Sequence, residues 1–295
     1  MGYTMRDFTD SHEWLSINTA TVRQQWALPE IIEHCARLGI RAISPWRDQV
    51  AACGLDVAMR LLREHDMMLS GYCRGGMFTA ADAAGLRNAR DDNRRAVDEA
   101  LALGAPCLVL VVGGLPNSTS GTDGKTVYKN IALAREQVRD GIGALLDYAR
   151  QVGMPLAIEP LHPMYAADRA CVNTLDQALD LCDELDPLRS GMLGVAVDVY
   201  HVWWDPTLQA AIERCGRDRL LAFHVCDWLV PTRDMLTDRG MMGDGVIDIR
   251  QIRSWVEAVG YTGFSEVEIF SAQNWWCKPG EEVLRTCIER HRSAV

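Results

Sequence analysis

A closed (β/α)8 barrel of the TIM type, an α/β fold, is the class this sequence predicts, on three observations. Short apolar runs recur along the chain, each followed by a polar loop and then a helix-like segment. Several runs are apolar at every position, as over Cys107–Val112, the mark of strands buried on both faces of a parallel sheet. Glycines stop the helices at Leu38-Gly39-Ile40, Leu103-Gly104-Ala105, Val152-Gly153-Met154 and Val259-Gly260-Tyr261, which places these αβ turns on one face of the molecule. The length of 295 residues is one that such a barrel commonly uses as a single domain, so one domain over residues 1–295 is expected. A doubly wound open sheet fits less well, because no GxGxxG follows the first run.

The elements follow in order. A first strand is read at Trp14–Ile17, then a helix over Leu28–Leu38 with Pro29 in its first turn. Strands two and three fall at Arg41–Ser44 and Met67–Tyr72, with a helix over Leu86–Leu103. Strand four, Cys107–Val112, leads into the longest loop, Gly113–Lys125, glycine- and serine-rich and read as mobile, and then a helix over Ile131–Val152. Strand five, Pro155–Ile158, pairs with a helix at Leu175–Leu185, and strand six, Leu193–Val197, with one at Leu208–Cys215. Strands seven and eight, Leu220–Val225 and Phe264–Phe270, precede helices at Ile249–Val259 and Glu281–Arg292, respectively.

Composition excludes several functions. Thirty Lys+Arg against forty Asp+Glu give a net charge of −10, which repels a phosphate backbone and argues against nucleic-acid binding. No apolar run reaches the roughly 18–20 residues that cross a bilayer, and the acidic stretch from Met1 to Glu13 lacks a signal-peptide pattern. Ten cysteines are scattered without a CxxC pair, as in buried thiols of a cytoplasmic protein.

In a barrel the chemistry gathers where strands end and βα loops begin. Strand five ends Ile158-Glu159-Pro160, strand six Val197-Asp198, strand seven contains Phe223-His224-Val225, and strand eight reads Glu266-Val267-Glu268. Neighbouring strands lie roughly 5 Å apart, so Glu159, Asp198, His224 and Glu268 can converge. Three carboxylates and an imidazole in a dry mouth repel one another at a cost of several kcal/mol. One divalent cation resolves that conflict, with Mn2+ foremost for an oxygen-rich site and Mg2+, Co2+ or Zn2+ as alternatives. Glu266 shares the face of Glu268 and rivals it for the ligand position, but Glu268 lies nearer the carboxyl end of the strand.

These motifs, with Asp198-Val199-Tyr200-His201, His224-Val225-Cys226-Asp227 and Gly243-Asp244-Gly245-Val246-Ile247-Asp248, resemble the sugar phosphate isomerase/epimerase family of xylose-isomerase-like barrels, which includes ketose 3-epimerases. The resemblance spans nearly the whole chain. It implies that Glu159, Asp198, His224 and Glu268 bind one metal, that Glu159 and Glu268 serve as acid and base, and that His201 contacts substrate. Ketose epimerases of this family usually carry an arginine six residues after the strand-seven histidine; here that position is Val230, and either Arg233 or no residue takes its place.

A carbonyl held at such a cation acidifies the neighbouring carbon through an enediolate, which suits an isomerase or epimerase of a small sugar or keto-sugar. Trp46, Trp203, Trp204, Trp228, Trp275 and Trp276 fall in or beside the βα loops, where they stack on sugar C–H faces or close a subunit interface. Arg47 and Arg74 follow strands two and three, placed to grip a carboxylate or phosphate or to neutralise the acidic mouth. His162, three residues past Glu159, is a second base or a structural histidine. As a base beside a 3-keto-glycoside it gives β-elimination, so a lyase is the alternative enzyme and a non-catalytic sugar-binding barrel a further one. A homo-oligomer is expected.

Overall fold

The computed structural model describes residues 5–116 and 129–295; of the Gly113–Lys125 loop, the part from residue 117 lies outside them. Nine strands form one parallel sheet in the order β3-β2-β1-β11-β8-β7-β6-β5-β4. They are β1 Leu15–Asn18, β2 Ala42–Ser44, β3 Met68–Leu69, β4 Tyr72–Gly76, β5 Leu108–Val111, β6 Leu156–Ile158, β7 Leu193–Asp198, β8 Leu220–Val225 and β11 Ser265–Val267. The nine strands make eight staves, because β3 and β4 are one stave broken at Ser70-Gly71. β3 pairs with β2 and β4 with β5. A bridge between Trp46 and Cys73, with Cys73 N–H donating to Pro45 O at 3.1 Å, joins the two sides into a cylinder. A short hairpin, β9 Asp227–Trp228 with β10 Arg239–Gly240, stands on the mouth beyond β8. No described helix is long and apolar enough to cross a membrane.

The helices begin and end where the sequence says they should. α1 Leu28–Arg37 buries Leu28, Ile31, Ile32 and Cys35, a single stripe at helical spacing. The side chains of Asp82, Asn130, Thr174 and Asp248 accept from backbone N–H groups of the first turns of α4 Ala83–Leu103, α5 Ile131–Val152, α6 Leu175–Leu185 and α9 Ile249–Ala258. Gly39, Gly104, Gly153 and Gly260 take positive φ at the stops. Between β2 and β3 the chain forms α2 Arg47–Cys53 and α3 Leu55–Glu64, which the sequence reading left unassigned. α7 Val199–Val202 follows β7, α8 Leu208–Arg219 is kinked at Gly216, and α10 Gly280–Ala294 closes the described chain.

Two layers of core result. Leu15, Ile17, Leu108, Leu110 and Val195 pack outward against the helices. A smaller inner set, Cys73, Cys107, Val109, Ala157, Ala196 and Ala222, fills the lumen. These inner side chains are small, so the polar residues at the carboxyl ends of the staves have room to meet above them. All ten cysteines are free thiols.

Candidate metal centre and active site

The strand register brings the acids together. Asp198, the last residue of β7, pairs with His224 of β8, which pairs in turn with Glu266 of β11. Glu268 sits one pleat higher, its N–H donating to Val225 O, while Glu159 follows β6 with its N–H on Leu110 O. Glu159, Asp198, His224 and Glu268 each present a ligand atom, all four within 4.8 Å of one another and all buried.

The cluster is not satisfied by the protein alone. His224 Nδ1 lies 2.9 Å from Glu159 Oε1 and Nε2 lies 3.5 Å from Glu266 Oε1. Neither approach is aligned as a hydrogen bond, so Glu159 Oε1 and both ring nitrogens are buried without a hydrogen-bond partner. Burial opposes charge on His224, but Glu266, Glu159 and Glu268 outweigh it and hold the imidazole well above its usual range. Burial, reinforced by Glu159 and Asp198 against the pull of Arg239, pushes the Glu268 carboxyl up to about 8. Donors of this kind, closely spaced and under-bonded, fit a divalent cation.

Glu266 is accommodated differently. Ser70 Oγ donates to its Oε2 at 2.7 Å and Asn18 Nδ2 to its Oε1 at 2.8 Å. Asn18 Nδ2 also donates to Glu268 Oε1 at 3.0 Å, and its Oδ1 accepts from Trp46 Nε1 at 2.7 Å. Asn18 ends the first stave, so the rule that located the other four residues pointed to it as well; it escaped because its amide is neutral.

The residue that sequence reasoning missed outright is Arg239. Its Nη1 donates to Asp198 Oδ2 at 2.9 Å and to Glu268 Oε2 at 3.0 Å, and its guanidinium lies between the rings of Tyr200 and Phe270, at 4.4 and 5.2 Å. Burial works against its charge, yet Asp198 and Glu268 keep it firmly protonated. On Asp198 burial raises the pKa, but Arg239 prevails and holds it below the usual carboxylate range. Arg233, one of the two alternatives for the arginine missing at Val230, turns to Asp238 and Gln273, so nothing takes that arginine's place from this position. The β9–β10 hairpin folds Arg239 back over the mouth, a placement that no local pattern announces.

The other predicted residues divide. His201 is buried beside the cluster, its Nε2 3.6 Å from Asp198 Oδ2 and 3.0 Å from Arg239 Nη2, and its Nδ1 accepts from the His162 N–H at 3.2 Å. Burial drives its pKa down to about 3, so the ring is neutral. His162 is half-buried, which lowers its pKa as well, and stacks on Trp228 at 4.9 Å. Trp228 also meets Tyr200 and Trp203, forming one aromatic wall, while Trp46 packs edge-on to Phe270 at 5.5 Å on the other side. Arg47 is not brought to the cluster. It pairs with Asp92 at 2.9 Å and Glu99 at 2.7 Å on α4, because position 47 opens α2 and its side chain reaches that helix. Arg74 lies within β4, not after it, and is half-buried.

Residues 32–293 match the model of the xylose isomerase-like TIM barrel family, and the chain belongs to it. The inosose isomerase of Halalkalibacterium halodurans is 22% identical over 280 residues, covering 92% of this chain and 93% of that protein. Protein SMc04130 of Sinorhizobium meliloti 1021 has a crystal structure with TM-score 0.90 and 59% identity, covering 96% and 99% of the two chains. The IOLI protein, solved with a bound zinc atom, superposes with TM-score 0.76 at 19% identity over 93% and 95%.

Proposed function

We propose that this member of the xylose isomerase-like TIM barrel family is a divalent-metal-dependent sugar isomerase or epimerase that works by proton transfer next to a carbonyl. The observation that carries the reading is the buried quartet Glu159, Asp198, His224 and Glu268, in which a carboxylate oxygen and both imidazole nitrogens lack hydrogen-bond partners. A relative named for inosose isomerisation and a structural neighbour holding zinc support it. The quartet would hold the ion, Mn2+ foremost and Mg2+, Co2+ or Zn2+ otherwise, and when bound it stabilises negative charge developing on a substrate oxygen.

The chain's own residues handle the proton. Glu159 and Glu268 are the acid–base pair. In the metal-free cluster burial raises Glu268 to about 8, whereas Arg239 holds Asp198 low; with a cation bound, Glu268 would ionise, leaving its carboxylate to act as the base. One carboxylate removes the proton next to the carbonyl. Its return to the opposite face of the same carbon gives an epimer, and its return to the neighbouring carbon gives an isomer. Neutral His201 and the arginine beside it line the reacting end, while Trp46 and Trp228 offer flat apolar walls for the sugar and exclude water. The small keto-sugar, a homo-oligomer and a cytoplasmic setting belong to the same reading.

A second reading rests on His162, a neutral imidazole against Trp228. As a base toward a 3-keto-glycoside it would give β-elimination and release an aglycone. A panel of keto-sugars incubated in deuterated water with Mn2+ separates the two. Deuterium uptake without bond cleavage, lost on chelation, supports isomerase or epimerase. Aglycone release supports the lyase, and uptake indifferent to chelation overturns the metal-dependent reading.

A further inference from the structure

β4 carries one residue more than its partner. Cys73 pairs with Val109 and Gly75 with Leu110, so Arg74 is left out of the ladder, and an extra residue of this kind bends the strand and re-aims its side chain. The neighbours show where it goes. Tyr72 reaches outward, its hydroxyl donating to Glu99 of α4 at 3.0 Å. Cys73 packs inside the lumen with Val109, Ala157 and Ala196. A Cβ on Gly75 would point outward again, meeting Asn93 Oδ1 of α4 at 2.9 Å. Arg74 therefore joins Cys73 on the lumen side, where Glu159 is among the charges it feels.

A second cation stands beside it. Arg169 lies in the loop after β6, where its carbonyl accepts from Gly113 N–H at 3.0 Å and Ala170 bridges Gly113. Only Gly113-Gly114 separates that loop from the end of β4: a Cβ on Gly113 would meet Thr79 Oγ1 at 2.8 Å, and one on Gly114 would meet Ala167 O at 2.5 Å. The two arginine-bearing segments thus close on each other across two residues without side chains. Burial, and then Arg169, hold the Arg74 guanidinium below its usual range.

Neither arginine is neutralised in the way others in this chain are. Arg47, Arg239 and Arg253 each hold a carboxylate at 3.0 Å or less. Arg74 makes no hydrogen bond or ion pair among the described residues, and the nearest acid to Arg169 is Asp168 at 3.9 Å. A chain with forty acidic residues against thirty basic ones has left Arg74 without an ion pair among the described residues and Arg169 with only the distant Asp168 and the Tyr165 ring at 5.8 Å, and a half-buried unpaired charge is costly unless a ligand completes it.

We infer that Arg74 and Arg169 form an anion subsite on the Glu159 side of the mouth, so that the substrate of the reaction proposed above carries a carboxylate or phosphate group away from its reacting carbons. The substrate class rests on that reading; the anion subsite does not. Calorimetric titration of inorganic phosphate and of D-glucuronate, each into the wild type, R74M, R74K and R169M, tests it. Binding of either anion, weakened at least tenfold in R74M, less in R74K, and weakened in R169M, is expected. Phosphate alone points to a sugar phosphate, glucuronate alone to a sugar acid. No binding of either, or binding unchanged in R74M that melts as the wild type does, overturns the subsite. Solvent-deuterium exchange then separates the two conclusions. Exchange on neutral ketoses as fast as on their anionic counterparts overturns the substrate class and leaves the isomerase reading intact. Anion binding through Arg74 with no exchange on any sugar supports the subsite and defeats the isomerase reading.

Discussion

Both ends of the barrel bury charge, and they do it in opposite ways. At the amino-terminal end, Glu257 is sealed from solvent but fully served. Arg6 Nε and Arg253 Nε both donate to its Oε1 at 2.9 Å and the Arg6 N–H to its Oε2 at 2.9 Å, while Arg253 Nη1 reaches Val295 O. At the carboxyl end, three carboxylates share His224 and Arg239 and leave polar atoms unbonded. Unbonded nitrogens alone do not mark a site: His291, at the amino-terminal end, also lacks partners for both of its own. It is stacked on Phe8 and lowered to about 3 by burial and neighbouring arginines, surroundings that repel a cation. Unsatisfied donors become a metal centre only where the company is acidic.

Substitution of one acid at each end exposes the difference most sharply. E268Q should reduce deuterium exchange on a turned-over ketose by about 10³-fold with the fold intact by circular dichroism. E257Q should leave exchange per folded molecule unchanged and lower unfolding free energy by about 3–5 kcal/mol; exchange falling in E257Q would blur the two ends into one. R239M comes next. It removes the sole cation bonded to Asp198 and Glu268 among the described residues, so the metal-free protein should lose about 3 kcal/mol in denaturant titration, and added Mn2+ should restore part of it.

The pH responses should have opposite signs. Glu268 is raised by burial, so its contribution to the metal-free protein is present below its ordinary value of 4.5 and is lost as pH rises through about 8. Burial raises Glu257 too, but Arg253 and Arg6 overcome it, so its contribution is present above 4.5 and lost as pH falls. The Glu268 contribution, read as the difference in melting between metal-free wild type and E268Q, should therefore decline from pH 5 to 8, on top of the opposite trend that the lowered His201 and His291 impose below about 6.5. The smallest effect belongs to R47M, which loses pairs half open to solvent. It should cost no more than about 1 kcal/mol and leave exchange untouched; a large drop in exchange would return Arg47 to the substrate site.

What the sequence revealed follows the same divide. The staves and the residues ending them were legible because apolar runs and glycine stops are local, and a parallel barrel gives each strand end the same destination. Glu268 and Glu266 could be ranked by depth alone. The third stave was harder: its break at Ser70-Gly71 and the extra residue at Arg74 depend on how two neighbours pair. Arg239 was illegible because a hairpin after β8 carries it over the mouth, and α2 turned Arg47 away for a similar reason, by contact with a helix far along the chain.

Arg239 has a consequence for how the molecule is made. An enclosure lined by acids would ordinarily have to wait for an ion before it could shut. This chain brings a positive group of its own into the chamber, against two rings, so part of the charge is met from within and only the atoms it does not reach are left for an ion.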